Sequence, residues 1–389
     1  MRRDVSSELI ERLDVEKVSE LLDIPEHRIT GAIQRKTLQY VRGKQDLFRF
    51  DKPISGIECG TCIFLDPFDI VRGFPKIPRA LILHPGILTH FSLCKTVAVE
   101  EKMNGYNVRI ALIDDELTGI TRGGLICPYT TEKAKELVGS DMLHEHPDLM
   151  ICGEMVGPDS PYVPKSIYQI ASLEFFVFDI REKLTGKPMP VMKRRKLVDE
   201  YGLKSVRLFG EYEVEKTHDE VARIIKDFGT SLNEGVVIKD PEMVLSPVKY
   251  TSSMSNCQDL RYAFEYYNDY GRDFFFPRVC REAFQAVEWN ETEEKRKKRC
   301  QRLGESILLP MIKTIKKKKD GERITETVQI RVRDLNTAWE FQEHLRLLGV
   351  DAIFEEPELT ENGYLVRIQK KYHSTSDKTE SILDGDLWA

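Results

Sequence analysis

The sequence predicts an α+β fold in several domains, because strand-like and helix-like patterns occupy different parts of the chain. β-Branched and aromatic runs separated by turns dominate the middle of the chain, and a charged, aromatic stretch without strand alternation follows them. At 389 residues the chain is also longer than one core usually supports. We expect an N-terminal domain over 1–60, a sheet-rich domain over 61–251, a helical module over 252–316 and an α/β domain over 317–389.

The spacing of apolar residues predicts the helices and strands of the first two domains. Residues 4–30 have apolar residues at helical intervals, and the strand-like segments Leu38–Val41 and Leu47–Phe50 follow. In the sheet-rich domain strand-like runs occur at 79–83, 96–99, 108–113, 149–152, 174–179, 233–239 and 246–251. Helical patterns occur at 131–138, 193–201 and 217–232. This alternation predicts a sheet of mixed strand order. The basic run at 193–196 is expected on a solvated helix face, with phosphate contact as the alternative.

The remaining chain is predicted to contain a helical module and a small β-α-β-β domain. The lysine run at 316–319, followed by Gly321, suggests a linker between them. Strands are expected at 325–333, 350–355 and 363–370, with an amphipathic helix at 335–348. Residues from 374 onward are expected to be loosely ordered.

Composition excludes several classes of protein. The net charge of −6, from 58 basic and 64 acidic residues, argues against a generic polyanion binder but allows a local basic groove. No run approaches the roughly 20 apolar residues that span a bilayer, and the N-terminus lacks a signal-peptide core. We expect a cytoplasmic protein with no membrane association. Its scattered cysteines, including Cys59 and Cys62, are expected to be reduced thiols.

Lys102 is the first candidate catalytic residue. An apolar run at 97–99 breaks at Glu100 and Glu101, and a turn signal at Asn104–Gly105 separates Lys102 from a second strand-like run. A lysine amine is a nucleophile only when deprotonated, and desolvation or nearby cations favour that state. Taken alone, the pattern also fits an ordinary hairpin with a solvated lysine at its tip.

Further motifs follow Lys102 in a defined order. They are the Gly-rich turn containing Arg122, the strand-end residue Glu154, the segment FD at 178–179, the strand EGVVIK at 234–239 and the final lysine Lys249. This order resembles that of the covalent nucleotidyltransferases, which include ATP-dependent DNA and RNA ligases and mRNA capping enzymes. The forms EEKMNGYNVR at 100–109 and NEGVVIKD at 233–240 resemble the archaeal homodimeric ATP-dependent RNA ligases. The motifs cover residues 102–249, and the similarity in layout covers most of the chain.

The resemblance implies an ATP-grasp-like nucleotidyltransferase core and an ATP-dependent RNA ligase. Such an enzyme joins or circularises RNA with 5′-phosphate and 3′-hydroxyl ends through lysyl-AMP and adenylated-RNA intermediates. It implies ATP and Mg²⁺, with Mn²⁺ as an alternative, and a homodimer whose interface we expect in 252–316. Most ligases have Asp where Asn104 stands, which makes a DNA ligase a weaker interpretation. A second KxDG at 318–321 lacks both a preceding strand and the later motifs, so we reject it.

The implied roles are chemically reasonable for these residue types. Lys102 would attack the α-phosphate of ATP, and Lys239 and Lys249 would bind that phosphate and lower the pKa of Lys102. Glu234 would bind the metal, and Glu154 would contact the ribose and also the metal. In the remaining implied contacts, the ring of Phe178 stacks on adenine, Glu101 reads the adenine edge, Asn104 shapes the turn, and Arg122 and Arg109 hold the ribose or phosphate.

Two other interpretations remain open from the sequence. A DNA ligase or a capping guanylyltransferase would usually carry a C-terminal OB-fold barrel, which the pattern after residue 251 does not suggest. A nucleotide- or RNA-binding protein that has lost catalysis belongs to a different class. The presence of Lys102, Glu234, Lys239 and Lys249 argues against it.

Overall fold

The computed structural model describes residues 5–163 and 167–387 and confirms the α+β fold. None of the described helices is long and apolar enough to cross a bilayer. The N-terminal elements are three helices and an antiparallel sheet in the order β1-β2-β3-β4. Their bounds are α1 Val5–Glu11, α2 Val15–Leu22, α3 Glu26–Gln34, β1 Leu38–Val41, β2 Leu47–Phe50, β3 Cys62–Leu65 and β4 Phe68–Val71. The sheet therefore continues past residue 60.

The middle of the chain contains two four-stranded sheets, which we call sheet I (β10-β5-β11-β12) and sheet II (β7-β6-β8-β9). The elements are α4 Leu83–His90, β5 Thr96–Lys102, β6 Tyr106–Ile113, β7 Glu116–Thr121, α5 Pro128–Leu137, α6 Asp141–Glu145, β8 Leu149–Val156, β9 Glu174–Glu182, α7 Val191–Glu200, β10 Leu208–Glu213, α8 Thr217–Asp227, β11 Gly235–Lys239 and β12 Val248–Thr251. Apolar residues of α4 and α8 pack on sheet I, and those of α5 and α6 pack on sheet II.

Two local predictions for this region are wrong. Residues 79–83 do not form a strand: Arg79 makes one isolated bridge to Lys249, and α4 begins at Leu83. The turn after Lys102 is not a hairpin, because β5 belongs to sheet I and β6 to sheet II. Gly105 in this crossover packs so closely on β8 that a Cβ atom there would lie 2.1 Å from the carbonyl oxygen of Met155. The crossover thus requires glycine and links the two sheets directly after Lys102.

The helical module consists of α9 Ser253–Glu265, α10 Arg272–Glu288 and α11 Glu293–Lys319. Because α11 continues through Lys319, the predicted linker at 316–321 is wrong. The lysines of the final turn face the negative end of the helix dipole, which favours them in the helix. Gly321, with φ +79°, then follows the helix end in the left-handed conformation common there. Lys318 of the rejected KxDG motif forms an ion pair with Glu380.

The C-terminal region contains the predicted β-α-β-β elements and two that the sequence did not indicate. The elements are β13 Thr325–Val332, α12 Leu335–Leu347, β14 Ala352–Phe354, β15 Glu358–Thr360, β16 Gly363–Lys371 and α13 His373–Leu383. β13 and β14 flank β16, and β15 also pairs with β16. The prediction of loose order after residue 374 is wrong, because long-range contacts anchor α13. Buried Thr375 accepts a hydrogen bond from Asn268 N, and buried Thr379 lies 2.6 Å from the Tyr267 hydroxyl.

Candidate active site

A cavity of about 1200 Å³ lies where the two central sheets meet. Except for Arg109, every residue that the sequence predicted for the site contributes to its lining. These residues are Glu101, Lys102, Asn104, Arg122, Glu154, Phe178, Glu234, Lys239 and Lys249. They come from both sheets and their connecting turns, so the fold brings together residues up to 148 positions apart (from Glu101 to Lys249).

Strand alternation explains which side chains of sheet I enter the cavity. Val97 and Val99 of β5 are buried against α4 and α8, so Glu100 and Lys102 face the opposite side. Lys102 pairs with Gly235 in the register of β11, which places it beside Glu234. At Gly235 φ is +152°, and a Cβ atom would lie 2.2 Å from the Tyr250 carbonyl oxygen. Glycine there lets β11 pack closely on β12.

Lys102 forms an ion pair with Glu234, with 2.7 Å between Nζ and Oε2. Burial lowers the pKa of Lys102, but the charges of Glu234 and Glu154 outweigh this effect and raise it above its ordinary value. The predicted net lowering of the Lys102 pKa is therefore wrong, although Lys102 and Lys249 repel each other. In this state the nucleophile is held as a protonated amine by its carboxylate partner.

Lys249 is a cation of the site that remains free to bind an anion. Its Nζ makes no hydrogen bond or ion pair with any residue in the described part of the chain. Burial lowers its pKa to about 8, and the charges of Lys102 and Arg79 act in the same direction. A phosphate would relieve this repulsion and stabilise the charged amine. Arg122 is exposed at the cavity rim, and its side chain likewise has no partner among the described residues.

Lys239 is instead engaged in a buried network centred on Glu100. Its Nζ lies 2.8 Å from Glu100 Oε2 and donates to the Phe178 carbonyl oxygen at 2.6 Å. Arg194 of α7 also binds both Glu100 and the Phe178 carbonyl. Burial raises the pKa of Glu100, but Lys239 and Arg194 overcome this effect and hold it at about 2. The network fixes the end of β11 against β9.

Arg194 corrects the prediction that residues 193–196 form a solvated helix face. Lys193 and Lys196 are exposed, but Arg194 is only 1% exposed. Val191 and Val198 are buried on the same side of α7, three residues before and four residues after Arg194. That helical spacing was a usable signal for burial, whereas its partner Glu100 lies 94 positions away and was not predictable locally.

Arg109 is the predicted site residue that the structure places elsewhere. It is fully buried and donates to the carbonyl oxygens of Gly60 and Thr121 at 2.8 Å and 3.1 Å. A third carbonyl, that of Arg72, also accepts a hydrogen bond from it. Because both terminal nitrogens of the guanidinium donate to backbone oxygens, Arg109 joins the N-terminal region to sheet II instead of holding a ribose or phosphate.

Phe178, Glu101 and Glu154 also line the cavity. The Phe178 ring is half-buried and makes an edge contact with Phe74 at 5.2 Å between centroids. Glu101 accepts a hydrogen bond from Asn233 at 2.9 Å. Burial raises the pKa of Glu154 to about 7, with Glu234 adding to the rise and Lys102 opposing it. Near neutral pH Glu154 therefore exists in both protonation states.

Comparisons with known proteins agree over nearly the full chain. A family model described as RNA ligase matches residues 95–251, and one described as the ligase Pab1020 C-terminal region matches 262–386. An uncharacterized protein of Methanocaldococcus jannaschii is 40% identical over 385 residues, covering 96% of this chain and 97% of that protein. A solved structure described as archaeal ATP-dependent RNA ligase, form 1, is 45% identical with a TM-score of 0.91, covering 97% of this chain and 100% of that one. The chain belongs to the archaeal ATP-dependent RNA ligase family.

The family assignment confirms the predicted enzyme class and the nucleotidyltransferase fold. A putative ATP-dependent DNA ligase from Aquifex aeolicus shares the fold with a TM-score of 0.86 at 24% identity, covering 93% of this chain and 99% of that one. Within residues 252–387 of this RNA ligase, the structure shows helices and one four-stranded sheet and no OB-fold barrel. This architecture lacks the C-terminal barrel that we expected for a capping enzyme. The putative DNA ligase of Aquifex aeolicus shares it, so the C-terminal region does not separate the two ligase classes.

Asn104, where the ligase departs from the usual motif, has two polar contacts. Its backbone N–H donates to the Tyr168 hydroxyl at 2.9 Å, and its side-chain amide reaches Ser255 Oγ at 3.5 Å. Ser255 lies in the first turn of α9. Asn104 thus connects the turn beside Lys102 to the helical module.

The carboxylates of the ligase site are compatible with a divalent cation. Within residues 5–163 and 167–387, no cluster of three or more metal-ligating side chains is present. Mg²⁺ nevertheless binds proteins through one or two carboxylates and takes its other ligands from water and phosphates. Glu234 and Glu154 supply two carboxylates that line the same cavity as Lys102. They fit that requirement.

The ligase site also has a wall that the sequence motifs did not reveal. It comes from the helical module and the C-terminal region and consists of Asp259, Tyr262, Tyr270, Phe274, Arg278 and Glu326. Asp259 and Tyr262 lie three residues apart and therefore share a face of α9. That spacing was visible in the sequence, but the direction of the face depends on tertiary packing.

Proposed function

We propose that this ligase joins or circularises RNA ends bearing a 5′-phosphate and a 3′-hydroxyl, using ATP and the nucleophile Lys102. The observation that carries the proposal is the position of Lys102 in the cavity, 2.7 Å from Glu234 and near the unpaired Lys249. Lys102 releases a proton to solvent, its Nζ attacks the α-phosphorus of ATP, and pyrophosphate leaves. An oxygen of the RNA 5′-phosphate then attacks the same phosphorus, which breaks its bond to Nζ and gives adenylated RNA. Finally the 3′-hydroxyl attacks the RNA phosphorus, loses its proton to solvent, and AMP leaves.

The cations of the proposed site differ in role, because some are already paired with a carboxylate and others are not. Lys249 and Arg122 are free to approach phosphate oxygens, where they would neutralise the charge that develops during transfer. Lys239 faces the same cavity but is held by Glu100, so it supplies a fixed positive charge. Phe178 stacks on the adenine and Glu101 reads its edge, while Glu154 contacts the ribose. Asn104 holds the turn that follows Lys102.

Glu234 and Glu154 would hold Mg²⁺, or Mn²⁺ in its place. The cation would neutralise phosphate charge during transfer. Glu234 is at the same time the partner that raises the pKa of Lys102. If this carboxylate also held a cation, Lys102 would lose part of that stabilisation and would release its proton more readily. The same carboxylate can thus hold the resting amine and allow its activation.

Covalent labelling tests this proposal. We expect α-labelled ATP with Mg²⁺ to label the protein, and α-labelled GTP to leave it unlabelled. The adduct should be stable to base and labile to acid, as a lysyl phosphoramidate is. Labelling by GTP alone would indicate a capping-type activity. Absence of any adduct would support the alternative of a nucleotide- or RNA-binding protein without catalysis.

We also propose a homodimer that uses the helical module, although not through residues 274–276 as a unit. Phe274 lines the cavity and contacts Arg278, and Phe275 packs on Phe264, whereas Phe276 is 55% exposed. Other exposed apolar residues continue along α10 and α11: Val279, Phe284, Val287, Leu308, Leu309, Ile312 and Ile315. Such a large apolar surface is typical of an interface.

A cytoplasmic location of the protein stays a prediction.

Polar substitutions on this surface test the dimer. We expect the double variant Val287→Glu, Leu309→Glu to be monomeric by light scattering, because two carboxylates would be buried without partners. Leu347→Glu is the control, since Leu347 is 54% exposed on α12 outside the helical module. An unchanged mass for the double variant, or an equal effect of the control, would contradict this location of the interface.

A further inference from the structure

The cavity extends beyond the space that ATP and Lys102 require. Its volume of about 1200 Å³ exceeds the roughly 300–1,000 Å³ of typical small-molecule pockets. The additional wall is the one formed by Asp259, Tyr262, Tyr270, Phe274, Arg278 and Glu326. It lies after the last predicted motif residue, Lys249.

Asp259 is held rigidly by Arg278. The Nε and Nη2 atoms of Arg278 lie 3.1 Å and 2.9 Å from the same oxygen, Asp259 Oδ2. Arg278 Nη1 donates to the Phe274 carbonyl at 2.9 Å, and the guanidinium lies 3.6 Å from the centroid of the Phe274 ring. The other oxygen, Asp259 Oδ1, has no hydrogen-bond partner among the described residues, and the side chain is 24% exposed. The wall thus presents one oriented acceptor to the cavity.

The charge of this wall suits a neutral hydrogen-bond donor better than a phosphate. Asp259 and Arg278 neutralise each other, and all three guanidinium nitrogens already have acceptors. Phosphates are better matched by Lys249 and Arg122, which are free. A hydroxyl group that donates to a carboxylate forms a charge-assisted hydrogen bond without bringing a second negative charge.

Aromatic residues beside Asp259 form a surface suitable for stacking. Tyr262 and Tyr270 are half-buried, with their ring centroids 6.0 Å apart and their planes at 75°, so one ring offers a face and the other packs against it edge-on. The Tyr262 hydroxyl lies 2.8 Å from that of Tyr372, which donates to Glu326 at 3.1 Å. Lys370 pairs with Glu326 at 3.2 Å, so the charge of this carboxylate is compensated. Unpaired RNA bases bind to aromatic faces of this kind.

The wall is also close to the reacting lysine. Asn104, two residues after Lys102, reaches Ser255 Oγ at 3.5 Å, and Ser255 lies about one helical turn before Asp259 on α9. The RNA end that attacks the adenylated phosphate must reach this same neighbourhood.

We propose that Asp259 Oδ1 accepts a hydrogen bond from the ribose 2′-hydroxyl of the RNA end that supplies the attacking 3′-hydroxyl, while one aromatic face of the Tyr262–Tyr270 pair stacks on its base. This inference rests on the proposed function. It identifies Asp259 as a residue that determines specificity for RNA. The 2′-hydroxyl distinguishes RNA from DNA, and an acceptor end lacking it would leave the oriented carboxylate without its partner.

Substrate substitution tests the proposal without altering the protein. A pre-adenylated RNA donor bypasses lysyl-AMP formation, so the sealing rate then reports on the acceptor. We expect the wild type to seal an acceptor with a single terminal 2′-deoxyribose roughly 10-fold to 100-fold more slowly than an all-ribose acceptor. Equal rates would overturn the proposal. Slowing only when the 2′-deoxyribose is in the first donor nucleotide would overturn the assignment to the acceptor.

Asp259→Ala tests the residue itself. We expect this variant to seal all-ribose and 2′-deoxyribose acceptors at similar rates, so that the ratio of the two rates is close to one. We also expect the substitution to slow the sealing of all-ribose ends more than it slows lysyl-AMP formation. Glu265→Gln is the matched control, because Glu265 is on the same helix but pairs with Lys313 at 2.9 Å and does not line the cavity. A wild-type ratio in Asp259→Ala would overturn the proposal. Failure of the wild type to form an adduct with labelled ATP is a separate result that would overturn the proposed function.

Discussion

Lys102→Arg is expected to reduce adduct formation from labelled ATP by about 10⁴-fold or more, the scale at which loss of a nucleophile abolishes covalent catalysis. Arginine keeps the positive charge beside Glu234, which pairs with Lys102 at 2.7 Å in the wild type. It cannot act as a nucleophile, however, because its guanidinium is not deprotonated in proteins. The substitution therefore separates nucleophilic attack from electrostatic stabilisation. An equivalent change at exposed Lys95, at the other end of the same strand region, should leave adduct formation unchanged.

The pH profile of the wild type gives a second measurement of the same mechanism. Because the pKa of Lys102 is raised, the amine is mostly protonated at neutral pH. Adduct formation at limiting ATP and metal, which reports on the free enzyme, should therefore increase as pH rises, by up to about tenfold per unit while the amine remains mostly protonated. Glu154, with a pKa of about 7, loses its proton in the lower part of this range and becomes a better ligand. A flat profile, or substantial labelling of Lys102→Arg, would contradict the role assigned to Lys102.

The sequence was most informative where function depends on short segments. Lys102, Glu234 and Lys249 lie in or beside strands whose alternation and turn residues are visible locally, and all three line the cavity. The order of the motifs supported the family assignment. It could not reveal the environment of each side chain, since that depends on distant partners. Lys102 was expected to have a lowered pKa because of neighbouring cations, but the carboxylates of Glu234 and Glu154 raise it.

Arg109 and Asp259 show two opposite ways in which local sequence patterns mislead. Arg109 was assigned to the site and lies outside it, whereas Asp259 was missed and lines it. Arg109 belongs to the motif segment, but its guanidinium binds carbonyls from Gly60 and Thr121 and does not reach the cavity. Asp259 belongs to no motif, but packing of the helical module brings it to the cavity with Arg278. Both positions are set by contacts between separate parts of the chain. Sequence periodicity can predict which residues share a face, but it does not predict what that face contacts.

Glu100→Gln is expected to reduce the free energy of unfolding by about 3–5 kcal/mol at pH 7, the range found when one partner of a buried ion pair is removed. Glu100 is 1% exposed and contacts both Arg194 and Lys239. Glutamine keeps the shape but leaves two buried cations without a counter-charge. Urea unfolding of the wild type and the variant measures the difference. Adduct formation should also fall, because Lys239 is then no longer held at the end of β11.

The pH dependence of this difference identifies its electrostatic origin. The pKa of Glu100 is about 2 in the folded protein, compared with about 4.3 for an unperturbed glutamate. A lowered pKa stabilises the folded state above the unfolded value, and this contribution disappears as pH falls from about 4.3 towards 2. The difference in the free energy of unfolding between the wild type and Glu100→Gln should therefore become smaller in acid. Glu101→Gln is the matched control, since the adjacent Glu101 is half-buried with one hydrogen bond from Asn233, and we expect it to cost less than about 1.5 kcal/mol. Equal losses at the two positions, or a gap independent of pH, would mean that packing around Glu100 matters more than its charge.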